Sequence, residues 1–126
     1  MEEKKIQESK DRQARKYNIT LNNPLSMIPP MTHPQIKEEI GKLGSVSYWC
    51  MADEIGLKEQ TPHTHIYLYS ASPIRFSTVK KRFPQGHIES AYGSSAENKD
   101  YILKAGKWKN TSKTETSIAG TFEEYG

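Results

Sequence analysis

The sequence predicts an α+β domain in which helices pack on one face of an antiparallel sheet. Three observations predict it. Five short segments have strand character, shown by polar–apolar alternation or by enrichment in β-branched and aromatic residues. Three other segments have helix caps and helical apolar spacing. The order in which the two kinds alternate along the chain suits helices laid on one side of such a sheet. With 126 residues the chain is long enough for one domain and too short for two.

Residues 1–16 are charged and polar, with Ile6 the only large aliphatic residue besides Met1, and read as a flexible charged arm. The single domain then occupies residues 17–126, with a tail after about residue 109. Tyr17 to Leu21 alternates polar and apolar side chains and predicts the first strand, stopped by the turn signal Asn22-Asn23-Pro24. Four prolines (Pro24, Pro29, Pro30, Pro34) make residues 24–34 a loop. Thr32 or His33 caps a helix with Pro34 in its first position and Ile36, Ile40 and Leu43 on its apolar face, ended by Gly44. Ser45 to Glu54 predicts a second strand, residues 55–61 a polar turn, and His63 to Ser70 a third strand. Ser77 to Phe83 predicts a short basic helix stopped by Pro84, and His87 to Tyr92 a fourth strand. Ser94 or Ser95 caps a helix that runs to about Lys104 and closes at Gly106, and a last strand is expected around Thr116 to Phe122.

No apolar run approaches the roughly 18 residues of a membrane span, and the N-terminus lacks a signal-peptide core, so no membrane partner is expected. Cys50 is the only cysteine, which excludes an intrachain disulfide and a cysteine-rich zinc site. Charge is unevenly spread. Arg75 to Lys113 holds nine Lys/Arg against three acids, whereas Gln35 to Thr61 holds five acids against three lysines. One part of the chain suits a polyanion and another a cation.

Two constellations carry chemistry. In Pro62-His63-Thr64-His65-Ile66-Tyr67-Leu68-Tyr69, strand alternation points His63 and His65 the same way, roughly 7 Å apart at Cα, while Thr64, Ile66 and Leu68 point to the core. Glu54 or Asp53, at the end of the preceding strand, returns beside His63 if residues 55–61 form a hairpin connection. Two imidazoles and one carboxylate suit Mn²⁺ or Mg²⁺ better than a structural Zn²⁺. In Glu97-Asn98-Lys99-Asp100-Tyr101-Ile102-Leu103-Lys104, helical spacing sets Tyr101 and Lys104 on one face. A phenol with an ordinary pKa of about 10 needs a nearby cation to act as a nucleophile.

Taken together, these motifs resemble the His-hydrophobe-His replication-initiator (Rep) endonuclease domain of circular single-stranded DNA viruses and related rolling-circle plasmids. The resemblance runs from about Tyr17 to Trp108. Tyr17-Asn18-Ile19-Thr20-Leu21-Asn22-Asn23-Pro24 is similar to the family's first motif in its circovirus form, and Thr61-Pro62-His63-Thr64-His65 to its metal motif. Glu97 to Gly106 resembles the catalytic Tyr-x-x-Lys helix, and Gly86 to Gly93 the strand before it. Thr64 departs from the family, which has a large hydrophobe there; threonine should weaken packing without removing a ligand. No phosphate loop of the Walker type is found, so a helicase domain stands as a possible further partner.

The resemblance implies a five-stranded antiparallel sheet of the RNA-recognition or ferredoxin-like kind, monomeric as an isolated domain. It implies that Glu54, nine residues before the first histidine, holds one divalent cation with His63 and His65. Tyr101 would attack the scissile phosphate of a single-stranded origin stem-loop, with Lys104 neutralising charge. Asn22 and Asn23 are candidates for base or backbone contacts, and Arg75, Lys80, Lys81 and Arg82 for phosphate contacts. The expected location is inside a cell with replicating DNA: bacterial cytoplasm for a plasmid protein, host nucleus for a viral one. Two other classes share parts of the pattern. One is a non-catalytic single-strand-binding domain, which needs no metal. The other is a relaxase or transposase; a relaxase carries an early tyrosine and a third metal-spaced histidine, which does not follow His65.

Overall fold

A computed structural model of the chain describes residues 11–56, 62–103 and 117–126. Strand β1 spans Gln13–Asn22, β2 Val46–Gly56, β3 His63–Arg75, β4 His87–Ser90 and β5 Ser117–Tyr125; helix α1 spans His33–Gly41, α2 Phe76–Arg82 and α3 Ser95–Leu103. The strands form one sheet in the order β4-β1-β3-β2-β5, and every neighbouring pair is antiparallel. The α+β class and five-stranded antiparallel sheet predicted from the sequence are therefore present. No helix among the described residues is long and apolar enough to cross a membrane.

Alternation along the central strands divides the side chains between two faces. On one face Tyr17, Ile19 and Leu21 of β1, Met51 of β2 and Ile66 and Leu68 of β3 are buried beneath Ile36 and Ile40 of α1 and Val79 and Phe83 of α2. Fully burying an aliphatic or aromatic side chain of this kind contributes about 1.5–3 kcal/mol, so this cluster is the main source of cohesion. Tyr17 is part of it: its hydroxyl donates to the Ile74 carbonyl at 2.6 Å, and burial pushes its phenol pKa up. The early tyrosine that a relaxase would use is therefore a core residue here.

The opposite face holds a smaller cluster of Cys50, Ala52, Tyr67, Ala91 and Ile102, with Tyr101 packed at its margin. Ile102 and Tyr101 belong to α3. Only α1 and α2 thus lie on the face assigned to the helices from sequence order, and α3 crosses to the other one. The reason is local: β4 is only four residues long and ends at Ser90, and the turn at Tyr92–Gly93 carries the chain across the sheet edge.

Several boundaries differ from the sequence reading. β1 starts at Gln13, so the last four residues assigned to the flexible arm are strand; Gln13 and Ala14 pair with Arg75 and Ile74, extending β3 five residues past Ser70. A register shift between Ala14 and Lys16 accommodates the Ala71-Ser72-Pro73 stretch, where proline has no N–H for the ladder. Residues 1–10 lie outside those described. α1 stops at Gly41, and Gly44, with φ +83°, makes the left-handed turn into β2. Thr32 is its cap, accepting a hydrogen bond from the Gln35 N–H at 3.3 Å. β5 runs from Ser117 to Tyr125 and carries a bulge, with one β2 residue between Met51 and Asp53 facing two between Gly120 and Glu123, and Thr121 at φ +48°.

A polar chain crosses the helix face. Thr64 is buried and its hydroxyl donates to Asp53 Oδ1 at 2.8 Å; Asp53 meets His33 Nε2 at 2.9 Å; His33 Nδ1 meets Glu123 Oε2 at 2.6 Å; and Glu123 is paired with Lys37. Thr64 therefore supplies a hydrogen bond where the sequence reading expected only weaker packing. Burial alone would lower the His33 pKa, but its bonds to Asp53 and Glu123 and their negative charges outweigh this and raise it.

A raised folded-state pKa means that the His33 contribution is fully present below the unfolded value of about 6.5 and is lost as pH rises through the folded value. His33→Gln should therefore lower stability by on the order of 1 kcal/mol at mildly acidic pH, with the deficit shrinking in alkali. Thermal unfolding of both proteins across that range checks it; a gap independent of pH would remove the imidazolium from the account.

Candidate active site

The polar side of β1 organises the second face. Lys16, Asn18, Thr20 and Asn22 alternate with the buried Tyr17, Ile19 and Leu21. In the ladder Thr20 lies opposite His65 and Asn22 opposite His63, while on the other side of β3 Glu54 lies opposite His63. Strands β2 and β3 therefore deliver one carboxylate and two imidazoles to one place, with β1 alongside.

Glu54 Oε2 is 2.6 Å from His65 Nε2, and Glu54 Oε1 is 3.9 Å from His63 Nε2. The two rings are 5.8 Å apart between centroids and inclined by 65°. His63 Nδ1 is 2.9 Å from Asn22 Oδ1. An amide oxygen only accepts, so a hydrogen sits on Nδ1, and Nε2 is the ring nitrogen turned towards Glu54. His65 Nδ1 has Thr20 Oγ1 at 3.4 Å, a longer contact in which the hydroxyl can donate to a neutral ring whose Nε2–H faces Glu54. Asp53, the alternative acid from the sequence, faces away towards His33 and Thr64.

Donors bound at about 2.0–2.2 Å to one divalent ion lie roughly 3 Å from each other, and the two Glu54–histidine separations, 2.6 and 3.9 Å, bracket that value. As placed, Glu54 closes on His65, and no three ligand-type side chains among the described residues surround a common centre. Imidazole nitrogens with outer hydrogen bonds, together with one carboxylate, suit a divalent cation.

Helix α3 supplies the rest. Ser94 and Glu97 form a capping box, Glu97 N–H donating to Ser94 Oγ at 3.1 Å and Ser94 N–H to Glu97 Oε1 at 3.0 Å. Ser95 Oγ is 2.9 Å from the Tyr67 hydroxyl on β3. Asn98 is buried; its Nδ2 donates to the Tyr92 carbonyl at 2.8 Å and the Ser94 carbonyl at 2.9 Å, and its Oδ1 accepts from Asn18 at 3.4 Å. These contacts hold the helix so that Tyr101, one turn further on, lines a cavity of about 370 Å³ together with His65, Thr20, Asn18 and Glu97. Lys104, the predicted partner of Tyr101, lies outside the described residues.

The site now has relatives to be set beside. Over 93 residues, 73% of the chain, the sequence is 33% identical to the replication-associated protein of beak and feather disease virus. Over 62 residues, 48% of the chain, it is 37% identical to the replication-associated protein of human associated cyclovirus 1. The chain is a relative of circovirus-type replication-associated proteins. The matched stretches are 29% and 22% of those two proteins, so the chain spans under a third of either. No family model matches it.

In this circovirus-type relative the predicted DNA-contact residues are dispersed. Asn22 orients His63, and Asn23 has an exposed side chain while its N–H donates to the Pro62 carbonyl at 2.8 Å, at a left-handed corner with φ 49°. Arg75, Lys80, Lys81 and Arg82 lie at or on α2, across the sheet from His63 and His65. Arg75 pairs with Asp11 at 3.1 Å, Lys80 Nζ donates to the Gly86 carbonyl at 2.9 Å, and Arg82 is 3.6 Å from Glu39. Sequence reasoning missed Lys16, Asn18, Thr20 and Asn98 as supports of the site. The first three had a signal, the unbroken polar phase of β1, but only the ladder register reveals which partner each one meets.

Asn98→Ala removes the donor for two carbonyls and should cost about 1–3 kcal/mol. Urea unfolding measures the loss, and an unchanged midpoint would show that these bonds do not hold α3.

Proposed function

We propose that the chain nicks and rejoins one DNA strand at a rolling-circle replication origin, through a covalent 5′-phosphotyrosine. The observation that supports this best is the shared cavity: a tyrosine on α3 and a histidine of the Glu54–His63–His65 cluster line the same cleft. The printed names of the two viral relatives, replication-associated proteins, point the same way.

Glu54, His63 and His65 are the groups that would hold a divalent cation, Mn²⁺ or Mg²⁺. Such an ion supplies Lewis-acid polarisation of a phosphate oxygen and charge stabilisation. Tyr101 acts as the nucleophile. Its phenol oxygen bonds to phosphorus and gives up its proton, the bond from phosphorus to the 3′ oxygen breaks, and that oxygen leaves as a 3′-hydroxyl once protonated. The phosphotyrosine ester replaces the phosphodiester, so attack by a 3′-hydroxyl reverses the step and rejoins the strand. Lys104, three residues after Tyr101, supplies positive charge near the phosphate. The substrate is single-stranded, because the phosphate must enter a cleft closed on one side by α3.

Three outcomes test the reading. On a denaturing gel with single-stranded origin-type oligonucleotides and Mn²⁺, a protein–DNA adduct should form, vanish with EDTA and vanish in Tyr101→Phe. DNA binding without any adduct across a randomised pool would turn the reading into a non-catalytic binding domain. Asn22→Ala should weaken Mn²⁺ binding by about 10- to 100-fold, the usual effect of losing an outer hydrogen bond to a ligand histidine; calorimetric titration giving equal affinities would detach Asn22 from the metal. Lys80→Ala with Lys81→Ala should flatten the log-log salt dependence of single-strand binding by about 1 to 1.5. An unchanged slope would leave α2 outside the DNA path.

A further inference from the structure

Tyr92 has no part in the scheme above, yet it stands at the rim of the same cavity as Tyr101 and His65. Its side chain is 85% exposed. Of the other tyrosines, Tyr17 and Tyr67 are fully buried, and the exposed Tyr125 lies against Trp49 with centroids 6.4 Å apart and planes 17° from parallel. Tyr92 makes no ring contact among the described residues.

Exposure of one aromatic ring is ordinary in itself. The backbone beneath this ring is held from three sides, however. Asn98 Nδ2 donates to the Tyr92 carbonyl at 2.8 Å, Lys16 Nζ to the Gly93 carbonyl at 2.6 Å, and the Ala91 N–H to the Lys16 carbonyl at 3.0 Å. Gly93 takes φ +81° beside Glu97, a conformation that side chains rarely adopt. The turn thus presents the ring outward instead of letting it fold onto the sheet. Around it the cavity is lined by Asn18, Glu89, Ser90 and Glu97. Glu89 is paired with His87 at 2.9 Å and Glu97 caps α3. The Asn18 amide and the Ser90 hydroxyl, which also accepts from Arg12 Nε at 2.9 Å, offer hydrogen bonds to the edge of a planar group.

We infer that Tyr92 is a stacking platform for one unpaired nucleobase beside the bond that Tyr101 attacks, an inference that rests on the nicking reading. Every base presents a π-face, so the platform tolerates sequence, and the groups lining the cavity beside it read the base edge. Its task is to hold the strand in register so that one phosphate reaches Tyr101.

The test uses a mixed-sequence single-stranded DNA of about 16 nucleotides containing 2-aminopurine, bound to the whole chain and to Tyr92→Ala, Tyr92→Leu and Tyr92→Trp. Stacking on an aromatic ring is sequence-tolerant and strong enough that Tyr92→Ala and Tyr92→Leu should bind about 5- to 150-fold more weakly and lose the 2-aminopurine quenching. Tyr92→Trp should keep both. A purely structural role would instead lower the melting temperature and not separate leucine from tryptophan. Equal affinity for tyrosine and alanine, or for leucine and tryptophan, overturns the inference. The adduct gel on the same pool separates the two readings: an adduct with no aromatic dependence of binding rejects the platform alone. Aromatic dependence with no adduct supports the platform and rejects the nuclease.

Discussion

The antiparallel register of β1, β3 and β2 is the constraint on which the rest depends. With Asn22 opposite His63, Thr20 opposite His65 and Glu54 opposite His63, one carboxylate and two oriented imidazoles meet without any loop having to position them. Because side chains alternate with a period of two, a one-residue slip of either pairing would send the histidines or the acid to the helix face. That register is in turn secured by the buried residues between the polar ones: Tyr17, Ile19 and Leu21 on β1, Ile66 and Leu68 on β3 and Met51 on β2. The hydrophobic core on one side is what aligns the chemistry on the other.

The same alternation separates neighbours in sequence into different roles. Asp53 and Glu54 are adjacent, yet Asp53 joins Thr64 and His33 on the helix face while Glu54 meets the histidines. The Thr64–Asp53–His33–Glu123–Lys37 chain ties β3, β2, α1 and β5 together directly behind the site. A threonine in the middle of His63-Thr64-His65 is thereby matched by an aspartate one residue before the acid that meets the histidines. A hydrophobe at that position could not make this bond.

Helix α3 completes the arrangement by lying on the face that the other two helices leave open. Its capping box, the Ser95–Tyr67 contact and the buried Asn98 set its start, and Ile102 anchors its end against Cys50, Ala52 and Tyr67. Tyr101 sits between those anchors. A cleft between helix and sheet, with a phenol on one wall and an imidazole on the other, follows from that packing.

Local pattern in the sequence determined the class of fold, the five strands and three α-helices of the described residues, and the two groups of residues around His63–His65 and Tyr101. Each of these rests on information confined to a few neighbouring residues: alternation, caps, prolines and short-range motifs. The tertiary structure alone decided what depends on distant pairing. It joined Asp53 to His33 and Thr64 on the helix face, carried α3 across the sheet and turned Asn22 into a support for His63. It also lengthened β1 and β3 together, because a strand end is stable only where a partner exists to accept its hydrogen bonds. It set the basic helix α2 behind the sheet, since Val79 and Phe83 are buried in the core while its lysines remain outside. Which face a residue serves is a property of the register between strands, and no single segment of sequence contains it.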